Sequence, residues 1–96
     1  MTGFDFEFDP VKDEENAAKH GFPLAFAEFL FDGPFVEEED GRRNYQETRF
    51  VATGPIARLD GRVFVVVYTW RGTARRIISF RKANDREIRK YRSAHA

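Results

Sequence analysis

Cysteine is absent from the chain. That excludes disulfide staples, thiolate nucleophiles and cysteine-built zinc sites. Histidine is nearly as scarce, with only His20 and His95, and His95 stands beside a terminus, where chains tend to fray. No segment approaches the ~20 consecutive apolar residues of a membrane span. No basic stretch leading into an apolar run opens the chain. The sequence therefore reads as a soluble, cytoplasmic protein. A glycine-rich phosphate loop, a nucleophile elbow and metal-ligand spacing are all missing.

Phenylalanine, by contrast, occurs 11 times, and a third of the residues are charged. Aromatic rings supply large buried area per residue. That suits a chain of 96 residues, which reads as one domain over residues 1–96 and buries roughly 60–65% of its unfolded surface. The net charge of zero hides an asymmetry. Residues 1–48 hold 13 acids and 4 bases, and residues 49–96 hold 3 acids and 12 bases. Either the basic half meets nucleic acid, or the two halves neutralise each other across the fold.

Phe4-Asp5-Phe6-Glu7-Phe8 alternates with period two and predicts a half-buried strand. Asp9 then caps, and Pro10 opens, a helix over residues 10–20. Lys19 and His20 suit its negative end, and Gly21 its left-handed stop. Leu24 to Phe31 predicts a second helix, too apolar to expose any broad face. Phe35-Val36 begins a strand that runs into the acidic Glu37–Asp40 and turns at Gly41. Thr48–Thr53 predicts the next strand. Asp60-Gly61 is a hairpin turn signal. Arg62–Trp70 is apolar on both faces and predicts a central strand. After the Arg71-Gly72 turn, Ala74–Lys82 predicts the last strand. Asn84, with Glu87 three residues on, marks the start of a basic C-terminal helix that turns Ile88 and Tyr91 to one side. The class is α+β: an antiparallel sheet meander, two helices from the N-terminal half and a basic C-terminal helix.

The basic residues of the second half carry the chemistry. Strict alternation along the last strand puts Arg75, Ile77, Ser79 and Arg81 on one face, and Arg76, Ile78 and Phe80 on the other. Arg49 and Arg71 lie on neighbouring strands. Converging arginines suit phosphodiester cleavage, because each guanidinium fork grips two phosphate oxygens as charge develops. The alternative is that they pair with the acidic first half. Lys19-His20 offers a group that titrates near neutrality, or else only a cation at a helix end. The Glu37–Asp40 run either attracts a hard cation or forms a solvated hairpin or basic-partner patch.

Several segments are similar to the BrnT family of toxins. They are Phe6-Glu7-Phe8-Asp9-Pro10-Val11-Lys12, Asn16…Lys19-His20-Gly21, Phe26…Phe31-Asp32, Gly61-Arg62…Tyr68-Thr69, Arg71-Gly72 and Arg76-Ile77-Ile78-Ser79…Arg81-Lys82-Ala83. The likeness extends over about residues 4–92. It implies a RelE-like fold and a metal-independent endoribonuclease, without cofactor, that arrests translation. It also implies a BrnA-like ribbon–helix–helix antitoxin held in a hetero-oligomer. Carried over position by position, it implies catalytic roles for Lys19, His20, Arg49, Arg71, Arg76 and Arg81. Arg75, Ser79 and Lys82 are expected to touch RNA, and Glu87 and Tyr91 to be structural. Trp70 and Phe80 depart from the family pattern by their bulk, and Trp70 is a candidate anchor for the antitoxin.

Overall fold

The computed structural model describes residues 5–41 and 47–94. Its strands are β1 (Asp5–Glu7), β2 (Val36–Asp40), β3 (Arg49–Ile56), β4 (Arg62–Arg71) and β5 (Ala74–Lys82). They form a five-stranded sheet in the order β1-β5-β4-β3-β2. The meander from β2 to β5 is antiparallel throughout, as expected. β1 crosses to the far edge and lies parallel to β5, pairing with Ala74–Arg76. Of the first predicted strand, Phe4 falls outside the described residues.

Helix α1 (Pro10–His20) has the limits its local signals predict. Asp9 Oδ1 accepts the Val11 N–H at 2.8 Å, and Gly21 closes the helix at φ 85° with its N–H on Ala17 O. The next segment, Leu24–Asp32, is helical but wound as 3₁₀. The difference is one of period. Leu24, Ala27 and Leu30 are three apart and fully buried, and only three residues per turn stacks them in one line. Phe26, Phe29 and Phe31 pack partly buried against the same core. Asp13 Oδ1 ties the segment to α1 by accepting the Leu24 N–H at 2.6 Å.

This 3₁₀ helix covers one face of the sheet, where Ala52, Ile56, Phe64, Val66, Tyr68, Ile77 and Phe80 complete the core. The rings of Phe64 and Phe80 stack at 5.0 Å, and Phe22 meets Phe64 edge-on at 5.2 Å. At Gly54 the covering chain comes so close that a Cβ would lie 2.6 Å from the Pro34 carbonyl. Helix α2 (Asp85–Ala94) lies against β3, and its Tyr91 is buried. Tyr91 shares a depression with Val36, Val51 and Thr53, whose side chains belong to the face opposite the 3₁₀ helix. α2 covers only part of that opposite face.

One irregularity corrects the expected alternation of β5. Val67 pairs with Ser79, but the next residue, Tyr68, pairs with Ile77. Ile78 is the extra residue of a β-bulge, and everything beyond it changes sides. Arg75, Ile77, Phe80 and Lys82 share the face of Tyr68 and Val66. Arg76, Ser79 and Arg81 share the opposite face, with Thr69, Val67 and Val65. The cause is burial. Ile77 and Phe80 are both in the core, and two residues three apart cannot face the same way without a bulge between them.

Candidate functional site

The uncovered part of the second face carries a row that crosses all five strands: Glu7, Arg76, Thr69, Arg49 and Asp40 are direct neighbours in the ladder. Strand spacing therefore sets Arg76 and Arg49 roughly 10 Å apart, two strands across, with Thr69 between them. Thr69 is buried and donates its hydroxyl to Thr48 O at 2.6 Å. Arg71 lies two residues beyond Thr69 on the same face of β4, with its side chain 55% exposed.

Carboxylates hold these arginines in place. Arg76 Nη1 lies 3.2 Å from Glu7 Oε1. Glu47 stands between two strands, with Oε2 3.5 Å from Arg49 Nε and Oε1 3.9 Å from Arg71 Nη2. One carboxylate thus occupies the position between two guanidiniums where a phosphate would fit.

Two adjoining depressions run along this face beside α1. One gathers Arg49, Thr69, Arg71 and Arg76. The other gathers Glu15, Asn16, Lys19, His20 and Ser79. Lys12 and Ile78 line both. The bulge residue is thus an apolar ledge between two charged hollows. Burial lowers the His20 pKa first of all, and the nearby charges of Lys19 and Arg81 lower it further. An imidazole kept neutral in this way is able to accept a proton near neutral pH. Arg81 is gripped by Glu87 at 2.8 and 2.9 Å and donates to the Lys82 carbonyl at 3.2 Å.

The fold thus brings Arg49, Arg71 and Arg76 into one hollow and Lys19, His20 and Ser79 into the adjoining one, with Arg81 beside His20. It does not bring Arg75 or Lys82 there. Arg75 is buried on the other face, its guanidinium 4.0 Å from the Phe31 ring centroid, 4.7 Å from Trp70 and 5.2 Å from Tyr68. Lys82 extends over Phe22 on that same side. Trp70 is 36% exposed at the rim of this aromatic cluster and edge-on to Tyr68 at 5.6 Å. Tyr68 donates to Glu37, and burial together with that carboxylate pushes its pKa up to about 12.

The acidic run of β2 splits between faces. Glu37 holds the Tyr68 hydroxyl and Glu38 pairs with Lys90. Among the described residues no group of three or more His, Asp or Glu side chains has a metal-holding arrangement, and no helix is long and apolar enough to cross a membrane. His95 and the basic pair Arg42-Arg43 lie outside the described residues. From the sequence, Lys12 and Asn16 stand only within the family pattern, without a role, and Glu47 is not singled out. For the first two the signal was present: Lys12, Asn16 and His20 recur every four residues and so share one helix face.

A family model described as the ribonuclease toxin BrnT of type II toxin–antitoxin systems matches residues 8–87. Among solved structures, the chain is similar to the Brucella abortus ribonuclease toxin BrnT, known from a 1.1 Å crystal structure. The two are 25% identical with a TM-score of 0.62, over 85% of this chain and 99% of that one. No curated protein sequence matches the chain.

Proposed function

This chain belongs to the BrnT family of ribonuclease toxins of type II toxin–antitoxin systems, and from that premise we propose that it cleaves RNA in the groove beside α1, without a metal ion, and so arrests translation in the cytoplasm. The observation that carries this reading is the row of Arg76, Thr69 and Arg49 in one hollow, with Lys19 and His20 in the hollow that adjoins it.

In this mechanism RNA lies along the groove with the scissile phosphate between the arginine row and His20. His20 takes the proton from a ribose 2′-hydroxyl, and the 2′-oxygen attacks the adjacent phosphorus. Arg76, Arg49 and Arg71 receive the negative charge that builds on the phosphorane oxygens. The bond to the 5′-oxygen breaks, leaving a cyclic phosphate, and Lys19 protonates the departing oxygen. Ser79, in the hollow of His20, touches the backbone. Arg81, fastened by Glu87, adds positive charge beside His20, after burial and Lys19 in lowering the imidazole pKa. Arg75 and Lys82 have no part in the RNA path.

The partner in this reading is a BrnA-like ribbon–helix–helix antitoxin that covers the groove with an acidic or polar segment, in a hetero-oligomer. The whole of residues 1–96 acts as one toxin domain.

The test is cleavage of a defined single-stranded RNA by the purified chain in EDTA. Products ending in a cyclic phosphate support the reading, provided that Arg76→Ala and His20→Ala abolish them. RNA that is bound but left intact would instead favour a non-catalytic binding module of the same fold. Activity that vanishes with chelator and returns with magnesium would end the metal-free mechanism.

A further inference from the structure

Asn16 lies in the middle of α1, is 8% exposed, and makes side-chain hydrogen bonds that all leave the helix. Its Nδ2 donates to the Phe80 carbonyl at 2.7 Å and to the Phe22 carbonyl at 2.8 Å. Its Oδ1 accepts the Phe80 N–H at 3.2 Å. The two bonds to Phe80 are those a neighbouring strand would make. β1 pairs only with Ala74–Arg76, so farther along that edge of β5 the Asn16 amide takes the place of a strand. A primary amide suits this because it presents a donor and an acceptor side by side, as a peptide group does.

The clamp acts on a particular part of the groove. His20 follows Asn16 by one turn and shares its face of the helix. Past His20, the Phe22 carbonyl is held by the same amide, and the Phe22 ring packs edge-on against Phe64 and Phe80. His20 therefore lies between two points fixed by one side chain. What faces it is set by that registration: Lys12, Glu15 and Lys19 from α1, Ser79 and Arg81 from β5, and through Arg81 the Glu87 carboxylate of α2.

We propose that Asn16 is a positioning residue for RNA cleavage: by clamping α1 to β5 at Phe80, it sets the His20 imidazole against Ser79 and Arg81 at the distance proton transfer needs. This rests on the reading of His20 as the proton acceptor. A merely structural contact would use the same hydrogen bonds, so the two roles differ in what happens at His20 and not in stability. The clamp needs the amide, and it transmits position, not substrate affinity. Its loss therefore lowers turnover and leaves RNA binding to the arginine row.

The experiment compares the full chain with Asn16→Leu, which fills the space without the bonds. Folding is checked by circular dichroism. The His20 titration is followed by NMR without RNA, and kcat and KM are measured across pH. The expected result is a folded variant whose His20 titrates closer to the ordinary histidine value. Its kcat falls on the order of 100-fold, with KM within about twofold and the acid limb of the pH–rate profile displaced in the same direction as the titration. A folded variant with unchanged titration and kcat overturns the proposal. If Asn16→Leu does not fold, Asn16→Ser, which keeps a hydroxyl near Phe80, carries the same comparison. Failure of both to fold assigns Asn16 to the fold alone and also overturns it. His20→Ala separates the two levels. Full cleavage in that variant defeats the catalytic reading. An inactive His20→Ala beside an unaffected Asn16→Leu defeats only the role of Asn16.

Discussion

Arg81 and Glu87 lock together at the corner between β5 and α2, Nη1 on Oε1 at 2.8 Å and Nη2 on Oε2 at 2.9 Å. The same carboxylate accepts the Asn84 N–H at 2.9 Å, and Asn84 Oδ1 accepts the Glu87 N–H at 2.9 Å in return. One side chain thus completes the capping box of α2 and fastens an arginine beside His20. The Arg81 guanidinium holds the Glu87 carboxyl below its ordinary pKa. A depressed carboxylate adds stability that is fully present above the unfolded-state value of about 4.5 and is lost as pH falls through the folded-state value.

Glu87→Gln should therefore lower the urea midpoint at neutral pH. The effect is worth at most about 1 kcal/mol, because the pair is partly exposed. The gap between the two proteins should close as pH falls below 4.5. A gap of unchanged size in acid would show that packing, not charge, is what the substitution removes.

Arg75 and Arg76 are neighbours in the chain on opposite faces of the sheet. Arg75→Ala removes a buried guanidinium from three aromatic rings and should cost roughly 1–3 kcal/mol of stability. Arg76→Ala breaks one half-exposed ion pair, worth under about 1 kcal/mol, yet should cut cleavage by about 100-fold or more. Denaturant melts and cleavage rates on both variants decide the matter. A larger loss of stability for Arg76→Ala than for Arg75→Ala would count against the bulge at Ile78.

Glu47 lies between Arg49 and Arg71, where a backbone phosphate would otherwise fit. Glu47→Gln, made in a His20→Ala background so that RNA survives, should tighten RNA binding by about threefold to tenfold. The gain should shrink as salt is raised. Fluorescence anisotropy at two salt concentrations measures it, and unchanged or weaker binding would remove Glu47 from the RNA path.

Trp70 stands at the rim of the cluster that holds Arg75. If it anchors the antitoxin, Trp70→Ala should weaken that complex by about 2 kcal/mol while the near-ultraviolet spectrum of the remaining aromatic rings persists. Loss of the folded spectrum would make Trp70 a core residue, and unchanged affinity would end its role as an anchor.

Local chemistry was legible in the sequence wherever one element's own residues settle it. Asp9-Pro10 and Lys19-His20-Gly21 set the ends of α1 because caps and the helix dipole act within a turn. Asp60-Gly61 and Gly72 placed the hairpins because left-handed backbone suits few residues. Converging arginines from β5 and its neighbouring strands were expected from the sequence, but which arginine of β5 joins Arg49 and Arg71 was not legible there.

Tertiary structure alone decided the rest. β1 pairs with β5 across the length of chain from Asp5 to Ala74, which no local signal specifies, and Asn16 continues that edge with a side chain. The 3₁₀ winding of residues 24–32 follows from the line of Leu24, Ala27 and Leu30 that the core demands. Most consequential is Ile78. Period-two alternation along β5 was a sound reading of the strand by itself, and it placed Arg75 with Ser79 and Arg81. A bulge reverses every residue beyond it, and whether one forms depends on contacts distant in sequence. Ile77 beside Tyr68 and Phe80 beside Val66 are both buried only if one residue between them is left out of the ladder. Burying both rows is worth more than the ladder bonds a bulge gives up, and that balance assigned Arg76, Ser79 and Arg81 to one face.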